Sequence, residues 1–362
     1  MPRSHGEFLA ALEQREKRVL DHLRVSPHID RLMPAHIRDL ALAYVDRQAK
    51  RLRPAVLLFS CRAAGGDEEL ALPAAAGVEL THTWTLTHDD LIDHDALRRG
   101  GPTVHEMAAE RARQEFGYDD ASSRSYGERL AILVGDVQSA WSIACLLETP
   151  VPPIRPETIR RIVLSLVSET IPDLIRGETL DVQLETADLE RLSEREIVEM
   201  LWLKTGVLYR FSAMAGAMLG ADTPDPESER VRPLAEFASL CGTAFQLQDD
   251  ILGIMGDQEV LGKPVGSDIR EGKRTTIVLH AHRHAAPEQR RFLESVLGNR
   301  DATDVQIAET KQLLQSLGGI AYTADLARNY VARALPHLEA VPPSQARDLL
   351  EAWAHFMVDR AF

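Results

Sequence analysis

The stretch that decides the fold runs from His82 to Asp95 and reads HTWTLTHDDLIDHD. It closes a long apolar run, residues 70–95, whose hydrophobic positions recur at helical spacing and show no strand-like alternation. On a helix, Asp89 and Asp93 stack on one face with Asp90 alongside. Like charges at that spacing destabilise a bare helix, so something positive is expected to compensate them. Carboxylates converging from a helix suit Mg²⁺, a hard ion that takes few carboxylates and fills its other positions with water and phosphate oxygens. A calcium loop is excluded, because its glycine, its spacing and its terminal glutamate are missing. A single acidic pair would by itself be read as a solvated helix end.

A second cluster changes that balance. Residues 245–257 read FQLQDDILGIMGD, with Asp249 and Asp250 again following an apolar helix and Gln246 one turn earlier. Burying four or more carboxylates without cations costs several kcal/mol per ion. A di- or trinuclear Mg²⁺ site bridging a phosphorylated ligand would remove that cost. Basic residues accompany both clusters: Arg98 and Arg99 after the first, Lys263 and Lys273 after the second, with Lys50, Arg53 and Lys204 elsewhere. Arg, by its fork, and Lys, as a point charge, are the expected partners of a diphosphate. There is no Walker A loop and no kinase or dinucleotide glycine pattern, which argues against a mononucleotide substrate.

Working outward, helical spacing continues through 55–64, 129–147, 157–184, 194–219, 233–254, 275–284, 288–297, 304–317, 320–335 and 344–359. Gly- and Pro-rich joints separate these runs. An all-α chain forming one domain over residues 1–362 is the economical expectation. The long polar stretch at 114–127 (QEFGYDDASSRSYG) is expected to be a mobile surface loop. The 362 residues are 44% hydrophobic, enough for a sizeable core, and the formal charge of -14 argues against a nucleic-acid partner. Cys61, Cys145 and Cys241 lie too far apart for a zinc or disulfide pattern, which fits a reducing, cytoplasmic setting. The N-terminus lacks the apolar core of a signal peptide, and no uncharged apolar stretch approaches the ~18 residues of a membrane span.

Taken together, these motifs resemble those of the trans-isoprenyl diphosphate synthases, the polyprenyl synthetase family, over about residues 50–276. Asp89-Asp90-Leu-Ile-Asp93 with Arg98-Arg99-Gly100 resembles the family's first aspartate-rich motif, and Phe245-Gln246 with Asp249-Asp250 the second. Lys50-Arg-Leu-Arg53-Pro54, Glu79-Leu-Thr-His82, Gly135-Asp136, Lys204-Thr205 and 262–268 (GKPVGSD) complete the set in order. The resemblance implies an isoprenoid-synthase-type helical bundle around a central cavity, commonly as a homodimer. It implies that Asp89, Asp90, Asp93, Asp249 and Asp250 hold Mg²⁺, three ions per active site, on the diphosphate of an allylic substrate. Arg98, Lys204, Thr205, Gln246, Lys263 and Lys273 would contact that diphosphate, and Lys50, Arg53, His82 and Arg99 would bind isopentenyl diphosphate. The reaction would be ionisation of dimethylallyl, geranyl or farnesyl diphosphate, condensation, and proton loss.

Two departures from the family pattern stand out. Gly253 occupies the place of a third aspartate in the second motif, with Asp257 as a substitute, and Gln48-Ala49 replaces the usual Gly-Gly before Lys50. Trp84 and Thr85, five and four residues before Asp89, lie where the family sets product length. A bulky residue at Trp84 and a small one at Thr85 point to geranylgeranyl diphosphate, with farnesyl diphosphate second. The rival readings are a class I terpene cyclase, which would need no isopentenyl site, and a non-catalytic regulatory subunit, which would be expected to lose carboxylates that this chain keeps.

Overall fold

A computed structural model describes residues 5–255 and 266–359. Two compact units share the chain. One takes in Met1–Leu164, Ser212–Arg232 and Ser344–Leu349, and the other Ser165–Phe211, Pro233–Pro343 and Leu350–Phe362. The described residues are helical almost throughout, as the periodicity predicts.

The first unit is built from α1 (His5–Arg24), α2 (Ala35–Leu42), α3 (Leu52–Ala63), α4 (Glu68–Ile92), α5 (Val104–Phe116) and α6 (Asp120–Leu147). Helix α4 starts where the Asp67 carboxylate accepts the Glu69 N–H at 3.1 Å, an N-cap. Glu68 in its first turn is paired with Arg15 and with Arg18 at 2.9 Å, which ties α4 to α1. The apolar face of α4 packs on α6 and α3. At its far end the chain leaves the helix through Asp93 and forms a two-residue antiparallel hairpin, β1 (Leu97–Arg98) with β2 (Gly101–Pro102). Arg99 and Gly100 take φ of 50° and 73°, the left-handed pair that a tight hairpin turn demands.

The expected loop at 114–127 is corrected here. Helix α5 runs to Phe116, and α6 begins at Asp120, capped by Asp119 accepting the Ser122 N–H at 2.7 Å. The polar residues form the outer side of helical turns whose inner side buries Ser123 and Gly127. Phe116, Tyr118 and Tyr126 stack around the joint with ring centroids 5.6–6.2 Å apart.

Helix α6 is long and apolar enough, by composition, to cross a membrane, yet Leu130, Ala131, Val134, Trp141 and Cys145 are buried within the protein. Its remaining face exposes Ile132, Leu133 and Leu147.

The chain passes into the second unit near the end of α7 (Pro156–Ser165). There the run expected at 157–184 is interrupted: a π-type turn at Leu166–Thr170 precedes α8 (Ile171–Leu184). The run at 194–219 is interrupted too. Helix α9 (Glu194–Leu201) opens on a Ser193/Glu196 capping box and gives way to a π-type turn at Trp202–Gly206 before α10 (Val207–Ala221). Such widened turns re-aim side chains and are frequent at functional sites. This one carries Lys204 and Thr205. Helix α11 (Arg232–Met255) bears the second acidic pair. Its Leu247, Ile251 and Ile254 join Ile197, Leu201, Ile269, Ile277 and Leu293 in one apolar core.

Candidate functional site

The first acidic motif does not use its three aspartates alike. Asp89 and Asp93 lie on the half-buried face of the end of α4. Asp90 is fully buried, and both of its oxygens are engaged: Tyr44 Oη donates to Oδ2, and Arg98 Nε donates to Oδ1 at 2.6 Å. Burial pushes the Asp90 carboxyl up, while Arg98 and Tyr44 pull it back. Arg98 also reaches Asp95 at 3.1 Å and Asp89 at 3.5 Å. So the guanidinium expected at the diphosphate is also the cation that neutralises this helix end. Tyr44, which the motif reading passed over, accepts the Val104 N–H at 3.1 Å on the same oxygen that serves Asp90. It sits in the turn after α2, and its only sequence signal is an aromatic residue between Ala43 and Val45.

The residues expected at isopentenyl diphosphate gather in the same unit. Arg53 Nη1 stands 3.1 Å from His82 Nε2. Burial, followed by the positive charges of Arg53, Arg99 and Arg98, drives the His82 value well below that of free imidazole. The ring is therefore neutral at pH 7. Arginine can only donate, so Nε2 accepts and the ring proton sits on Nδ1. His82 thus orients Arg53 rather than adding charge. Arg99 donates to the Tyr44 carbonyl at 2.6 Å and pairs with Glu79 at 3.6 Å. Lys50 is exposed.

Two further charges belong to this group. Glu79 is fully buried, and Arg51 has no side-chain exposure. They face each other at 3.7 Å, with Arg51 3.9 Å from Glu16. Arg51 adopts a left-handed φ of 41°, a conformation that costs roughly 1–2 kcal/mol for a residue with a side chain. Its guanidinium, bonded to the carbonyls of Val45 and Arg47, holds it there. This is how the chain turns into α3 without the Gly-Gly that the family pattern would have placed before Lys50. An acid inside the apolar run 74–80 (AAAGVEL) was the available signal for Glu79.

The second unit assembles a different set. Lys204 Nζ pairs with Asp181 at 2.6 Å and Glu178 at 2.9 Å, two acids on α8 that the motifs did not single out. Thr205 Oγ1 donates to Gln246 Oε1 at 2.7 Å, and Gln246 Nε2 donates to Asp250 Oδ1 at 3.2 Å. This relay brings three of the expected residues together. Asp250 is 8% exposed, and its second oxygen, Oδ2, has no hydrogen-bond partner among the described residues. Burial pushes its carboxyl well up. Gln246 opposes this, and the charges of Asp268, Asp181 and Asp249 add to it. Lys273 pairs with Glu271 at 3.4 Å. Lys263 and Asp257 lie outside the described residues.

Trp84 is half-buried on α4, and its indole N–H donates to His88 Nδ1 at 3.2 Å. Indole is a donor only, so His88 accepts on Nδ1 and offers its Nε2–H to the Ile132 carbonyl, 3.3 Å away. Gly135 makes room for that ring, since a Cβ there would stand 2.0 Å from His88 Nε2. Thr85 Oγ1 returns to the His82 carbonyl at 2.8 Å, an ordinary helix back-bond.

A family model described as polyprenyl synthetase matches residues 34–315. A geranylgeranyl diphosphate synthase of Saccharolobus solfataricus is 35% identical over 313 residues, 86% of each chain. A geranylfarnesyl diphosphate synthase of Aeropyrum pernix is 32% identical over 347 residues, 94% of this chain and 98% of the relative. The crystal structure of a geranylgeranyl pyrophosphate synthase from Corynebacterium glutamicum, complexed with isoprenyl diphosphate and magnesium, superposes with a TM-score of 0.81. It is 27% identical, over 99% of this chain and 100% of that one.

Proposed function

The chain belongs to the polyprenyl synthetase family, and on that premise we propose that it extends an allylic diphosphate with isopentenyl diphosphate and stops at geranylgeranyl diphosphate. It is a prenyl-transferring enzyme of the short-chain trans type, and isoprenyl diphosphates are its substrates. The relatives make products of different lengths, so the C20 assignment rests on this chain's own residues. The observation that carries it is the Trp84 indole, fastened to His88 on the helix that ends in Asp89. A rigid aromatic at that point caps a growing prenyl tail, and the small Thr85 beside it leaves room for more than a farnesyl chain.

The donor set fits magnesium. Asp89 and Asp93 share one helix face, the second motif holds a buried carboxylate oxygen with no hydrogen-bond partner among the described residues, and every candidate ligand is a hard oxygen. Asp89, Asp93, Asp249 and Asp250 would hold the ions, with Asp90 setting Arg98 in place. Bound magnesium would supply positive charge to the diphosphate as its C–O bond breaks. Lys204, Thr205, Gln246, Arg98 and Lys273 would fix that diphosphate by charge and hydrogen bonds. Lys50, Arg99 and the His82-oriented Arg53 would hold isopentenyl diphosphate, so that its double bond meets the allylic carbon. Exclusion of water would protect that carbon from interception. The exposed apolar face of α6 (Ile132, Leu133 and Leu147) is read as the contact of a homodimer. Light scattering should then give about twice the chain mass of 40.2 kDa, and a monomer at micromolar concentration would remove that reading.

The test is product analysis with isopentenyl diphosphate and each of dimethylallyl, geranyl and farnesyl diphosphate. All three primers should end at C20. Trp84→Ala should shift the distribution to longer chains, and an unchanged distribution would remove Trp84 from the floor of the channel.

A further inference from the structure

The second acidic motif lacks an acid where the first has one. In the first, Asp89 and Asp93 stand one helical turn apart. In the second, Asp249 is followed one turn later by Gly253. The space beside Gly253 is nevertheless occupied by a carboxylate. A Cβ built on Gly253 would lie 2.1 Å from Asp268 Oδ2, so any larger residue collides with the Asp268 side chain.

Asp268 arrives from a separate segment, the short helix Ser267–Glu271, and its placement is enforced from both sides. Ile269 is 1% exposed in the core of this unit. Arg270 donates to the Ala302 carbonyl at 3.2 Å and to Asp304 at 2.7 Å. The Asp268 and Ile269 carbonyls accept the N–H groups of Lys273 and Gly298 at 2.9 and 3.0 Å. An acid pressed against a helix that already carries Asp249 and Asp250 is unfavourable without a cation. Independently, on the same helix three residues before Gly253, the Asp250 Oδ2 atom is buried without a hydrogen-bond partner among the described residues. The two observations call for a positive ligand at one place.

We propose that Asp268 supplies the third carboxylate of the second metal motif, delivered across space to the position that Gly253 leaves open on α11. The ligand is a divalent cation carried with a diphosphate. This rests on the reading of Asp249 and Asp250 as metal-holding residues. It predicts that the carboxylate can be moved between the two positions: Asp268→Ala removes it, and Gly253→Asp in the Asp268→Ala background returns it from the helix itself.

The experiment is calorimetric titration of Mn²⁺ into the intact protein with saturating inorganic pyrophosphate, with circular dichroism confirming the fold of each variant. Asp268→Ala and the isosteric Asp268→Asn should weaken Mn²⁺ binding by about 10- to 100-fold or remove one ion from the stoichiometry. The Gly253→Asp/Asp268→Ala double variant should recover most of the loss, and Asp249→Asn should lose binding in its own right. If Asp268→Asn and Asp268→Ala bind as the wild type does while Asp249→Asn fails, Asp268 is not part of the metal site and the proposal falls alone. If Asp249→Asn also binds unchanged, the metal reading of the second motif falls and takes this proposal with it.

Discussion

The two acidic motifs look alike in sequence and differ in how their charge is balanced. At the first, Asp90 is enclosed by Tyr44 and Arg98, and Arg98 reaches Asp89 and Asp95 as well. At the second, the corresponding buried acid, Asp250, receives one neutral hydrogen bond from Gln246, and acids surround it. The first motif therefore carries its own counter-ion, whereas the charges that act most on Asp250 in the second are acidic. One is a helix end tied together by Arg98, and the other brings several acids to bear on one buried carboxyl.

The largest expected effect tests what the motifs have in common. Asp89→Ala, or chelation by EDTA, should lower turnover by at least about 10²–10³-fold with the circular dichroism spectrum unchanged, the scale of removing one preorganised electrostatic element. Sustained activity in EDTA would contradict the metal assignment.

The next effect separates the motifs. Asp90→Asn withdraws the closest partner of a mostly buried guanidinium and should destabilise the metal-free protein by about 3 kcal/mol in urea unfolding. Asp250→Asn removes a carboxylate disfavoured by burial and by neighbouring acids, and should leave the metal-free protein as stable as the wild type, or more so, at pH 7. If both variants lose stability equally, the contrast is wrong.

The smallest effect is a slope against pH. Burial raises the folded Asp250 value above the unfolded one, near 3.9, so the folded state holds the proton more tightly. The stability this group contributes is full below about pH 4 and is lost as pH rises through its folded value. Metal-free wild type should show that loss and Asp250→Asn should not. Magnesium with pyrophosphate should flatten the wild-type curve, and identical curves for the two proteins would sink the idea.

Much of this was legible in the residues themselves. Periodicity of the hydrophobic positions is a local property, so the helices and the faces of α4 and α11 that carry aspartates follow from spacing alone. The same rule misjudged 114–127, because a helix whose outer face is all polar, with only Ser123 and Gly127 turned inward, has the composition of a loop. Nor could spacing reveal the π-type turn that presents Lys204, since one widened turn leaves no mark in composition.

The order of residues fixes the chemistry at hand: which carboxylates and cations exist, in what succession, and hence the family and its diphosphate substrates. Their division of labour comes from packing in three dimensions. Asp89 and Asp90 are neighbours in the chain, but a helix turns adjacent side chains about 100° apart, so Asp89 stays half-buried at the edge of Arg98 while Asp90 is enclosed by Tyr44 and Arg98. Asp268 and Gly253 are distant in sequence and adjacent in space. Contacts across such separations are set by packing of the core around Ile269, which no local pattern encodes.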